Sequence, residues 1–163
     1  MVAIVEEDAD VSERGAELMM KASRQLSQMT EFFATLSATD LLRPCAVGEV
    51  GDAVGALAAH IAEGYHRLGR LLASAAHAPG AVPARGHEHG SVGEAVTLPD
   101  LLQHLMDGQI PISTLAALTA DQLHATAPPI PHVCDSNRTL EGAIEDVIAH
   151  QAEHLASLRQ ALS

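Results

Sequence analysis

The stretch Ile144 to Leu162, IEDVIAHQAEHLASLRQAL, decides how this chain is read. Ile144, Val147, Ile148, Leu155, Leu158 and Leu162 recur at helical spacing and make one apolar stripe. Glu145, Asp146, Glu153 and Gln160 fall on the other side, so the stretch reads as the last helix of a bundle. His150 and His154 are four residues apart. They project from one face, about one turn from each other, on the flank of the apolar stripe. Two imidazoles so placed can bind one metal ion if another helix supplies a third ligand; otherwise they are two partly exposed helix histidines.

The rest of the composition agrees with helices. The chain has 163 residues, enough for one domain with one core. Hydrophobic residues make up 47 %, yet the only aromatics are Phe32, Phe33 and Tyr65. The core is then built from Ala, Leu, Val and Ile, which suits closely packed helices, and β-branched or aromatic runs of strand type are missing. The formal net charge is −12 and there is no basic patch, which argues against nucleic acid as a partner. No apolar run approaches the roughly 20 residues of a membrane span, and the acidic start MVAIVEEDAD does not resemble a signal peptide. A cytoplasmic protein is expected, with Cys45 and Cys134 reduced.

Residues 1–11 read as a flexible leader and 12–163 as the single domain. Ser12 can cap a first helix running to about Leu36, with Leu18, Ala22, Met29, Phe32, Phe33 and Leu36 on its buried side. Thr39-Asp40 reads as the start of a short helical turn, after which Pro44, Gly48 and Gly51 break the chain. A second helix spans about Asp52 to Ala76, with Ala53, Leu57, Ile61, Leu68, Leu71 and Leu72 as its stripe. His60 falls within that apolar arc, while His66 falls on the opposite, solvated side. Gly64 lies one turn after His60, where a missing side chain leaves room for a neighbouring backbone or a ligand. Arg67, two turns from His60 on a similar bearing, is either a surface arginine or one that reaches an anionic substrate. Residues 77–96 form a long connection whose His87-Glu88-His89 mimics a metal motif; in a loop without a fixed third ligand it is discounted. Thr97, Pro99 and Asp100 start a third helix, to about Leu118, interrupted at Gly108 and Pro111. The phase of His104 does not decide whether it is buried. Residues 119–138 form a second, Pro-rich crossing, and the last helix starts near Thr139.

The two halves also resemble each other. LSATDL at 36–41 is followed by AHIAE at 59–63, and LTADQL at 118–123 by AHQAE at 149–153. If this is a repeat, the second and last helices are pseudo-equivalent and face each other, which brings His60 opposite His150 and His154. Three imidazoles from two helices fit a metal site with open positions for water or substrate. Glu63, about 60° round the helix from His60, is the better candidate to support a ligand; Glu153 points away from the histidines.

On LSATDLLRP, VGEVGDAVGALAAHIAE and DVIAHQAEHLASLRQAL, the chain resembles the DinB-like superfamily, which includes YfiT-like metal-dependent proteins and mycothiol-dependent maleylpyruvate isomerases. The resemblance covers most of the chain in helix order and length. It implies an all-α, antiparallel four-helix bundle with a long crossover connection, and a Zn or Ni ion held by His60, His150 and His154. Many members carry a Trp just before the second helix; here Val50 stands in that neighbourhood and the chain has no Trp, so a site wall different from the family's is expected. The implied function is metal-dependent thiol S-transfer or thiol-dependent isomerisation with a low-molecular-weight thiol as cosubstrate. The same ion would also suit a hydrolase acting through metal-bound hydroxide. A non-catalytic bundle, binding a metal for stability or a small ligand without turnover, is the third reading. A metal-free, acid-sensitive histidine cluster is the fourth. The partner expected throughout is a small molecule, and the resemblance admits a homodimer.

Overall fold

The computed structural model describes residues 11–45, 53–76, 97–128 and 138–163. These residues are mostly helical, with no strand among them. In order they form α1 (Glu13–Phe33), α2 (Ala38–Leu41), α3 (Val54–Ala76), α4 (Leu98–Asp107), α5 (Gln109–Thr114), a 3-10 turn (Leu115–Ala117), α6 (Ala120–His124) and α7 (Leu140–Leu162). Among the described residues no helix is long and apolar enough to cross a membrane. Cys134, His87 and His89 lie outside the described residues, as do residues 1–10 of the expected leader. Val11, the leader's last residue, pairs with Thr119, and the next backbone N–H, that of Ser12, donates to Leu118 O.

Local chemistry starts the helices where it should. The hydroxyls of Ser12, Thr97 and Thr139 each accept a backbone N–H of the first turn of α1, α4 and α7. The short α2 begins at Ala38, one residue before Thr39, because Ser37 and Asp40 form a reciprocal capping box. Thr119 and Gln122 form the same box and turn part of the second expected crossing into α6. The third expected helix is divided at Gly108, whose α-carbon comes so close to Tyr65 that an added Cβ would sit 2.9 Å from the Tyr65 Cβ.

Contacts set the sense of each helix. Arg14 bridges to Glu141 and Glu145, Gln25 Nε2 donates to Ile148 O, and Arg159 lies over the Phe32 ring, so α1 and α7 run the same way. His60 meets His154 while Gly64 meets Gln151, so α3 runs against α7. The pairs His66–His104 and Gly69–Pro111 put α4 and α5 in the sense of α3. One core joins these elements, including Leu18, Met29, Phe33, Leu57, Ile61, Leu68, Leu105, Ile112, Ile144 and Leu158. Buried Cys45 is a free thiol within it.

The half-repeat has a structural counterpart at its hooks. The pairing of Pro44 with Ala53 leads into α3, and the pairing of Thr126 with Thr139 leads into α7. Leu41 and Leu123, at matching places in α2 and α6, are both buried. Counted from those hooks, however, His60 is the seventh residue after Ala53, whereas His150 is the eleventh after Thr139. The AHxAE match is therefore displaced by one helical turn, which keeps the helix face and changes the level.

Candidate metal centre

Three ring nitrogens converge between α3 and α7. His60 Nε2 lies 3.1 Å from His154 Nε2, which lies 2.7 Å from His150 Nε2. One ligand atom from each of the three residues lies within 4.8 Å of the others. His60 and His154 are half-buried and His150 is exposed, so the group opens to one side. The nitrogens of three imidazoles on a tetrahedral ion at about 2.05 Å are about 3.3 Å apart, close to this spacing.

Hydrogen bonding alone does not account for the arrangement. A neutral imidazole nitrogen carries either one N–H or one in-plane lone pair. His154 Nε2 has two close nitrogen neighbours and can satisfy only one of them. A shared cation satisfies all three lone pairs at once, so the donor set fits a divalent ion.

The electrostatics keep the rings in the form a cation takes. The His60 pKa is pushed down to about 4, chiefly by burial, then by Arg67, His154 and His150, with Glu63 opposing. Burial, His150 and Arg67 also lower that of His154, against a smaller pull from Glu153. Both rings are neutral at pH 7, as ligation requires. On its other side His60 Nδ1 accepts from Arg67 Nη2 at 3.1 Å, because a guanidinium only donates. That bond places the proton of the neutral ring on Nε2. Ligation through Nε2 would move it to Nδ1 and end the Arg67 bond.

The other singled-out residues have definite places. Glu63 does not hydrogen-bond His60: its carboxylate takes Arg70 Nη1 and His104 Nε2, each at 2.8 Å. Burial pushes Glu63 up, but the Arg70 and His104 bonds outweigh it and hold the carboxyl below its usual range. His66, expected in solvent, is half-buried; it stacks on His104 at 4.0 Å and donates from Nε2 to His104 O. The reason is that α4 packs along the face of α3 that the sequence pattern assigns to solvent. The space at Gly64 is taken by neither a backbone nor a ligand. The Gln151 amide fills it, and an added Cβ would fall 2.2 Å from Gln151 Cδ.

Gln151 is the residue that sequence reasoning passes over. It is 1 % exposed, and its Nε2 donates to Ile61 O at 2.8 Å. The amide thus ties α7 to α3 between the levels of His150 and His154. The signal was there: the stripe on α7 steps from Ile148 to Leu155, and the missing rung is Gln151. Tyr65 is the matching omission on α3. It is fully buried, and its hydroxyl donates to Gln25 Oε1 at 2.5 Å.

Comparison with protein-family models, with curated proteins and with solved structures gives no match.

Proposed function

We propose that the chain is a cytoplasmic, divalent-metal-binding protein of the DinB-like kind, with Zn or Ni held by His60, His150 and His154. The overall form we propose is a four-helix bundle of α1, α3, α4–α5 and α7, with a crossover between α3 and α4. The common sense of α3 and α4, and of α1 and α7, supports that form. The observation that carries the metal reading is the double contact at His154 Nε2, which one hydrogen bond cannot satisfy.

When bound, such an ion lowers the pKa of a coordinated thiol or water. Around it, the chain's residues divide the work. His60 and His154 stay neutral, Gln151 holds the two helices in register, and the exposed side at His150 admits the second reactant. Among the described residues no carboxylate hydrogen-bonds the triad. A site without a positioned base favours a nucleophile that ionises easily. A thiol, with an ordinary pKa of about 8.5, needs less help than water. The function supported best is thus thiol transfer or thiol-dependent isomerisation on a small molecule.

The test is elemental analysis of the untagged protein beside His154→Ala. The expected result is about one equivalent of Zn or Ni per chain in the parent and little in the variant. Turnover should then need an added low-molecular-weight thiol; turnover without one would identify a hydrolase. A parent that takes up neither metal sinks the reading.

A further inference from the structure

Arg67 is the charged group beside the triad that makes no ion pair among the described residues. Glu63, the acidic residue one turn before it, is committed to Arg70 and His104. Among the described residues no carboxylate lies within ion-pair distance of Arg67. Its one hydrogen bond among the described residues goes to His60 Nδ1. A guanidinium has five N–H donors, and since no side-chain nitrogen among the described residues is buried without a partner, the donors Arg67 does not use on His60 face solvent and are open to a ligand.

We infer that Arg67 is the anion-binding arm of this site, taking the carboxylate of a small ligand whose other end reaches the histidine triad. The guanidinium presents a planar fork that matches a carboxylate. A single fork in a chain of net charge −12, with Glu63 close by, suits a monoanion rather than a phosphate dianion. The position fits as well, because Arg67 touches the ring whose far nitrogen faces the triad. Ligation through that nitrogen would end the bond from Arg67 to Nδ1 and free the guanidinium for the ligand. The triad end of this inference rests on the metal reading; the Arg67 end does not.

The experiment titrates acetate into metal-free and zinc-treated protein and follows the Arg67 Nε–Hε signal by NMR, identified by its loss in Arg67→Gln. That signal is expected to shift to saturation in the parent. Acetate affinity, read from backbone amides around His60, should fall at least about tenfold in Arg67→Gln, the size of one charge-assisted hydrogen bond. Arg67→Lys, which keeps the charge and loses the fork, should fall between the two. Circular dichroism confirms that both variants are folded. An Arg67 signal that does not saturate, or equal affinity in parent and Arg67→Gln, overturns the inference. Zinc content is measured on the same samples. A parent that takes no zinc but saturates at Arg67 refutes the metal reading and leaves this one standing; zinc uptake with an unmoved Arg67 signal does the reverse.

Discussion

At the scale of single residues, His60 makes the metal-free protein sensitive to acid. In the unfolded chain its ring titrates at its ordinary value, about 6.5. In the folded chain burial and the charges of Arg67, His154 and His150 bring it down to about 4. Between those values the unfolded chain binds a proton that the folded chain refuses, so stability rises with pH across that window. The contribution is complete above pH 6.5 and is lost as pH falls toward 4. His154, shifted the same way by burial, His150 and Arg67, adds to it. Urea unfolding of chelator-treated protein, followed by circular dichroism, should show stability dropping from pH 7 to 4.5. His60→Gln, which cannot charge, should flatten that slope. An unchanged slope in the variant would place the acid sensitivity elsewhere.

At the scale of elements, the joint between α3 and α7 sets the triad. Gly64 and Gln151 interlock: the amide lies where a side chain at 64 would be, and it bonds to Ile61 O. Ala is ordinarily better than Gly inside a helix by about 1 kcal/mol. Here Gly64→Ala should destabilise instead, by about 1–3 kcal/mol, because the buried amide must move and give up its bond. Gln151→Ala should also destabilise, through the cavity it leaves. The double variant should recover part of the loss, since the new methyl at 64 occupies space the amide vacated. A coupling of about 0.5–3 kcal/mol in a double-mutant cycle is the expected result. Strict additivity would show that the two residues do not share the joint. The same joint explains why it escaped the sequence. Ile148 and Leu155 announce a stripe, but only the neighbouring helix turns the polar rung between them into a buried clasp.

At the scale of the molecule, what was legible is what is local. Caps at Ser12 and Thr97, the start of the last helix near Thr139, the interruption at Gly108, and the stripes on α1, α3 and α7 follow from side chains acting within a turn or two of their own backbone. The meeting of His60 with His150 and His154 was legible because all three lie on or beside an apolar arc, although the repeat that suggested it is one turn out of register. The bearing of Arg67 toward His60 was legible from their spacing on one helix, whereas the places of Tyr65, His66 and Glu63 were not, since each depends on which helix packs alongside and at what rotation. The triad, if it holds an ion, has a global consequence, because its histidines sit on two helices separated by about ninety residues of chain. An ion that binds only the folded arrangement stabilises the whole chain by mass action, by about 4 kcal/mol when free metal is a thousandfold above its dissociation constant. For a domain of this size that is on the order of ten degrees in the thermal midpoint. The chain's ten histidines would let the unfolded state bind some zinc too, which makes this an upper figure. Thermal unfolding with zinc and then with excess chelator should therefore show a midpoint that rises with metal and returns on its removal. In His154→Ala, which leaves the fold and the other nine histidines in place, the rise should largely disappear. A shift of equal size in parent and variant would mean that zinc acts through scattered surface histidines, and the convergence between α3 and α7 would have no part in holding it.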